Sequence, residues 1–179
     1  FHSSGDIQIT SPASYRDTLH DAFVMVDFAE RRELIRQGVI AAAKTANGQA
    51  VIDESLLEEV TSLNEWPVPL MGRFEEHFLE VPAEALVSSM AQHQKYFHVV
   101  DANNKLLPLF ITVANIASAD PQQVINGNER VIRPRLADAA FFYNTDLKTT
   151  LDARRETLRK IVFQSKLGTV YDKTARVSE

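Results

Sequence analysis

Lys95-Tyr96-Phe97-His98-Val99-Val100, then Asp101-Ala102-Asn103-Asn104, then Leu106-Leu107-Pro108-Leu109-Phe110-Ile111-Thr112-Val113-Ala114-Asn115-Ile116 reads as a β-hairpin. Two runs rich in aromatic and β-branched residues flank four residues of turn chemistry. In the return run, Leu109 to Ala114 is nearly continuous apolar. Such a strand belongs in the middle of a sheet, covered on both faces. This hairpin, residues 94–116, sets the expected class: α+β, with a small mixed or antiparallel sheet packed against helices.

Upstream, Asp6-Ile7-Gln8-Ile9-Thr10 alternates like a strand. A long helix is expected over Tyr15 to Lys44, with Phe23, Val26, Phe28, Leu34, Ile35, Val39 and Ile40 at helical spacing. Asn47-Gly48 stops it. Asp53 is placed to cap a helix whose stripe is Leu56, Leu57, Val60 and Leu63. Trp66-Pro67-Val68-Pro69 breaks that helix, Phe74 to Leu79 is a short amphipathic piece, and Pro82 opens a helix through Met90. Downstream, Pro121 starts helical character, Pro134 should end or kink it, and Asp152 caps a further helix through Phe163 or beyond. The chain thus divides into an α/β module over 1–118 and a mainly helical, basic segment over 119–179. No internal repeat is present.

The 179 residues carry a net charge of −5, spread unevenly. Residues 1–127 hold 8 Lys and Arg against 17 Asp and Glu, while 128–179 hold 11 against 7. An acidic body with a basic end points to a polyanion partner for that end, although a helix laced with Arg and Glu is equally a solvated face. There is no cysteine, which excludes disulfides, thiolate metal sites and a cysteine nucleophile. No run approaches the roughly 18 apolar residues that span a bilayer, and the first residues lack the pattern of a signal peptide. A cytoplasmic protein without membrane contact is expected, and both ends read as cut from something longer.

Two constellations carry polar chemistry. In His93-Gln94-Lys95-Tyr96-Phe97-His98, strand alternation sends Gln94, Tyr96 and His98 to one side and Lys95 and Phe97 to the other. His93 and His98 then point apart, so no metal site is expected. In Arg130-Val131-Ile132-Arg133-Pro134-Arg135-Leu136-Ala137-Asp138, three arginines crowd a proline. If Pro134 opens a helix, Arg133 and Arg135 sit in its first turn, where amides also favour anions. Guanidinium forks suit phosphate. The structural reading is a buried clasp between Arg135 and Asp138, one turn apart. Phe141, Phe142 and Tyr143 are expected in the core rather than as a base-stacking platform. There is no phosphate loop, no His-x-x-x-His, no Gly-x-Ser-x-Gly, and no expected catalytic residue.

Longer strings go further. Ser55 to Pro67 (SLLEEVTSLNEWP), Phe74-Glu75-Glu76 to Phe78-Leu79, Val81 to Val87 (VPAEALV), His93 to Phe97, Gly127 to Asp138 (GNERVIRPRLAD) with Phe141 to Asp146, and Lys166 to Lys173 (KLGTVYDK) occur in one order. Together they resemble the β subunit of the bacterial two-subunit glycyl-tRNA synthetases over most of residues 50–175. Ala140 stands where that family most often has Glu, and Leu147 where a basic residue is common.

The resemblance implies an α2β2 ligase that joins glycine to tRNA(Gly) with ATP and Mg. The α subunit carries the adenylate-forming core, so this chain needs no cofactor of its own. The reading of the residues assigns Arg130, Arg133, Arg135 and Lys95, with Asp138, to RNA binding or a structural clasp. The fold is similar to the B3/B4-type module of the phenylalanyl enzyme's β subunit, with added C-terminal helices. That analogy leaves a second reading open: a relic editing-like or small-ligand hydrolytic module, using a pocket beside His93, Gln94, Lys95, Asn115 and Arg135. Glycine is the smallest amino acid, so size exclusion already rejects larger ones and the need for editing is weak.

Overall fold

A computed structural model describes residues 3 and 5–178. The hairpin forms as β3 (Phe97–Val100) and β4 (Leu106–Ala114), antiparallel, with Phe97 opposite Ile111 and His98 opposite Phe110. Its turn is held by Asp101, whose Oδ1 accepts from the amides of Asn103 at 2.8 Å and Lys105 at 2.9 Å. Asn104 takes the left-handed conformation, φ 60°, which Asn tolerates.

Two strands that the sequence reading did not find complete the sheet: β1 (Gln49–Ala50) and β2 (Val68–Arg73). The order is β1-β3-β4-β2, all antiparallel, so β4 is central as expected. Pro67 and Pro69 disguised β2. The amide of Phe74 donates to Pro108 of β4 at 3.1 Å. Alternation then turns positions 69, 71 and 73 to the open edge, where a proline costs no ladder bond. The Arg73 amide on that edge is taken by Glu129 Oε1 at 2.9 Å.

One face of the sheet is covered by α2 (Phe28–Thr45) and α3 (Glu54–Leu63). Ile35, Val39 and Ala43 of α2 and Leu56, Leu57 and Val60 of α3 close over Phe97, Val99 and Ile111. Asp53 caps α3 as expected, accepting from the Leu56 amide at 2.9 Å. Leu63 is a correction: expected in the buried stripe, it is exposed. Glu54 ties the two helices together through Arg32 at 2.6 Å and Arg36 at 2.7 Å.

The helix expected over Tyr15 to Lys44 is two helices, α1 (Tyr15–Asp21) and α2. Asp27 restarts it, its carboxylate accepting from the Glu30 amide at 2.9 Å. The intervening loop has Phe23 at φ +64°. It is pinned by a bond from the Met25 amide to the Glu65 carbonyl at 2.9 Å, and Arg31 donates to the carbonyls of Met25 and Val26. The strand expected over 6–10 is irregular and exposed, and among the described residues no strand pairs with it.

Over the second face, Tyr96 stacks on Phe110 with centroids 4.5 Å apart. This aromatic pair leaves no room at Gly72, where a Cβ would stand 2.5 Å from the Phe110 ring. After α4 (Ala83–Ser88) the chain makes a wide turn over Ser89–His93 before β3. The last helix of this body, α5 (Pro121–Asp146), runs unbroken through Pro134, which was expected to end or kink it. The ring removes one helix bond to the Arg130 carbonyl, and the loss falls at an exposed position, where an unpaired backbone oxygen costs least.

The chain falls into two compact units, residues 1–139 and 140–179. The sequence boundary at 118/119 marks the change from strand to helix character. In the second unit the end of α5 is followed by α6 (Leu151–Thr157), a hairpin of β5 (Val162–Gln164) and β6 (Gly168–Thr169), and α7 (Val170–Ser178). The helix expected from Asp152 through Phe163 therefore ends early. Its cap is Thr150, whose hydroxyl accepts from the Ala153 amide at 3.3 Å. Among the described residues no helix is long and apolar enough to cross a membrane.

Candidate nucleic-acid interface

The register of α5 decides which arginines face outward. Tyr96 donates its hydroxyl to Asn128 Oδ1 at 2.6 Å, and burial pushes that phenol up to about 12. Ile132 and Leu136, one and two turns beyond Asn128, are fully buried. With that face turned inward, Arg130, Arg133 and Arg135 are all exposed.

Their partners differ. Arg133 Nε donates to Glu75 Oε1 at 2.5 Å, an exposed pair. The backbone amide of Glu75 itself, and after it Arg133, hold that carboxyl below its usual value. Arg130 and Arg135 have no carboxylate within ion-pair distance among the described residues. The expected Arg135–Asp138 clasp is absent from those ion pairs, and Asp138 is itself exposed, so the buried clasp does not form. Pro134 lies inside α5, so no helix N-terminus exists there to help bind an anion. Glu75 and Arg73 are the residues that sequence reasoning missed. With Phe74, Leu109, Glu129 and Arg133 they line a groove of about 560 Å³. Glu75 lies 58 positions from Arg133, so no local pattern links them.

The residues of the second reading do not converge. Lys95 sits at φ 60° and pairs with Glu59 at 2.8 Å. His93 is exposed and Gln94 half-buried, and both precede β3, which begins only at Phe97. Asn115 is occupied by backbone, since its Oδ1 accepts from the amides of Glu65 at 2.7 Å and Trp66 at 2.8 Å. The groove beside Lys95 is lined instead by Asp53, Ser55, Glu59, Glu84 and Ser88, without Asn115 or Arg135. His98 is half-buried, and burial lowers its pKa.

In the second unit most cations serve local contacts. Arg154 pairs with Asp146 at 2.7 Å, Arg155 and Arg159 lie over the Tyr171 ring, Lys173 over Phe163, and Arg176 donates to the Leu167 carbonyl. Phe141 and Phe142, expected in the core, are exposed, with their rings edge to face.

All of residues 1–179 match the family model described as glycyl-tRNA synthetase beta subunit. The chain belongs to that family. It is 66% identical over 180 residues to the glycine–tRNA ligase beta subunit of Marinobacter nauticus, covering 99% of this chain and 26% of the relative. It is also 66% identical to that of Hahella chejuensis, over 100% of the chain and 26% of the relative. Identity to the Stutzerimonas stutzeri subunit is 56%, again over 26% of its length. The chain therefore spans about a quarter of the curated relatives it matches.

Proposed function

We propose that this chain is a tRNA-handling and assembly part of a cytoplasmic glycine–tRNA ligase. It supports ATP-dependent attachment of glycine to tRNA(Gly) and forms no adenylate itself. Its partners are tRNA(Gly) and an α subunit within an α2β2 enzyme, and ATP with Mg is used on the α subunit. The family match along the whole chain carries this reading. The solvent-facing Arg130 and Arg135, with no carboxylate in ion-pair distance among the described residues, support it, because guanidinium groups suit phosphate oxygens.

The relic editing-like module is not favoured. Its required groups are committed elsewhere, Lys95 to Glu59 and Asn115 to two backbone amides.

The test separates the two half-reactions. Arg130→Ala/Arg135→Ala, carried in a full-length β subunit paired with α, should raise the KM for tRNA in glycylation. Glycine-dependent ATP–pyrophosphate exchange should stay unchanged. Equal loss of both activities, or of neither, with the fold intact would remove the assignment.

A further inference from the structure

Charge divides this chain at the boundary between its two units. Residues 1–139 hold 11 Lys and Arg against 19 Asp and Glu, whereas 140–178 hold 8 against 4. Most of the carboxylates in 140–178 are already engaged. Asp146 pairs with Arg154 and Glu156 with Arg159, both at 2.7 Å, and Asp172 accepts from the Thr169 amide and hydroxyl at 2.7 and 2.8 Å. Lys148, Lys160 and Lys166 are exposed and have no carboxylate within ion-pair distance among the described residues. This unit therefore presents uncompensated positive charge to solvent.

Exposed rings accompany that charge. Phe141 and Phe142 are 64% and 63% exposed and meet edge to face, with centroids 5.6 Å apart. Tyr171 and Phe163 lie under Arg159 at 3.5 Å and Lys173 at 4.3 Å, but neither Phe141 nor Phe142 carries a cation among the described residues. Their π faces are open. Amide bonds from Leu147 to the Tyr143 carbonyl and from Lys148 to that of Thr145 continue the helical path of α5 to residue 148. Phe141 and Lys148 are two turns apart on that path, so they lie on one side of it, about 10 Å apart along the axis. Lys160 and Lys166 bracket β5.

Open rings and unpaired cations in one unit suit a single strand: stacking accepts any base, and lysines meet the phosphates. A duplex keeps its bases in its own stack and has none to offer the rings. A protein surface is a poorer match, because lysine is depleted from protein interfaces. We propose that 140–178 holds unpaired nucleotides of RNA, with Phe141 and Phe142 stacking on bases and Lys148, Lys160 and Lys166 contacting phosphates. This rests on the tRNA reading and adds to it a contact separate from Arg130 and Arg135.

The test uses a full-length β subunit paired with α, and two probes: tRNA(Gly) and an unstructured oligoribonucleotide of about eight nucleotides. Phe141→Leu/Phe142→Leu should weaken oligonucleotide binding by at least about fivefold and leave the salt slope unchanged. Lys148→Ala, Lys160→Ala and Lys166→Ala should each flatten that slope by about 0.7, the value for a single strand. An oligonucleotide of abasic residues should bind the unmodified enzyme as weakly as the intact one binds the ring variant, and the two losses should not add. Glycine-dependent ATP–pyrophosphate exchange, unchanged throughout, guards against misfolding. Equal binding of intact and abasic oligonucleotides, or a ring variant that binds like the unmodified enzyme, would overturn the inference. In that case a tRNA loss in Arg130→Ala/Arg135→Ala would leave the tRNA reading standing, and its absence would remove both. A ring variant that releases the α subunit or a second β subunit in sedimentation, with RNA affinity intact, would give the surface to protein and overturn the inference.

Discussion

Glu75→Gln should make RNA binding more sensitive to salt, not less. Binding through phosphates releases counterions, and log affinity falls against log salt with a slope of about 0.9 per phosphate contact on a duplex. Arg130 and Arg135 face solvent without a carboxylate partner among the described residues, so each is free to make one contact. Replacing either by alanine should flatten the slope by about 0.9. Over a fourfold rise in salt, that one contact is worth about 3.5-fold in affinity, and two are worth about 12-fold. Arg133 differs because Glu75 already sits against its guanidinium at 2.5 Å. Both side chains of that pair are substantially exposed, so opening it costs under about 1 kcal/mol, or less than about fivefold. Arg133→Ala should therefore flatten the slope by less than Arg130→Ala. Glu75→Gln should steepen it by up to about 0.9, and the double variant should return to the Arg133→Ala slope. The assay is fluorescence anisotropy of labelled tRNA(Gly) against full-length β subunit with its α partner, from about 50 to 200 mM salt. Unchanged slopes for Arg130→Ala and Arg135→Ala with the fold intact would reassign these arginines to structure. A Glu75→Gln slope equal to the unmodified one, beside a full loss in Arg133→Ala, would show that the pair does not restrain Arg133 in solution.

Thermal unfolding checks the remaining predictions. Gly72→Ala forces a methyl to 2.5 Å from the fully buried Phe110 ring and should cost about 1–3 kcal/mol, relieved by adding Phe110→Leu. Gly127→Ala, inside α5 with nothing within 4 Å of the new Cβ, should stabilise by roughly 0.5–1 kcal/mol. Asn115→Ala removes the acceptor shared by the Glu65 and Trp66 amides; these bonds are exposed and water can replace it, so the change should cost about 0.5–1.5 kcal/mol, whereas Asn115→Asp keeps the acceptor and most of the stability. Asp53 is held below the usual carboxylate value by the Ser55 hydroxyl first and the Leu56 amide next. Its capping stability is thus complete above the ordinary value and lost as pH falls through the lowered one, a slope that Asp53→Asn should remove. Burial lowers the His98 pKa, so protonation opposes folding. Stability should fall as pH drops below about 6.5, and His98→Gln should blunt that fall.

Where a feature depended on neighbours in sequence, the residues announced it. The 101–104 turn and the Asp53 cap are local hydrogen-bonding decisions, and both formed as read. The features that escaped are set by contacts far along the chain. Nothing within residues 15–44 shows that Met25 will bond to Glu65, yet that bond holds the break between α1 and α2. β2 hid behind Pro67 and Pro69 because a proline forbids a central strand and not an edge one, and edge position is a property of the whole sheet. Pro134 misled in the opposite direction. The cost of a proline within a helix is reduced where the carbonyl it orphans reaches water, and exposure at Arg130 was invisible until the packing of α5 was known.

The candidate interface shows the same division more sharply. The excess of Lys and Arg after residue 127 was legible as a total, but the total joins two different situations. In 140–178 the arginines and Lys173 are turned onto rings, carbonyls and carboxylates of their own unit, and what stands open there is apolar surface with Lys148, Lys160 and Lys166. On α5 before residue 140, two of three guanidinium groups have no carboxylate partner among the described residues, while the helix spends its other polar bonds on the sheet, Asn128 with Tyr96 and Glu129 with the edge amide of Arg73. A helix has 3.6 residues per turn, so fixing Asn128, Ile132 and Leu136 inward leaves Arg130 nearly opposite and Arg133 to one side, beside Glu75. The position of the arginines is thus a consequence of how β2 and β3 were finished off. A change at Tyr96 or Glu129 that rotated α5 would move the positive charges without touching one of them.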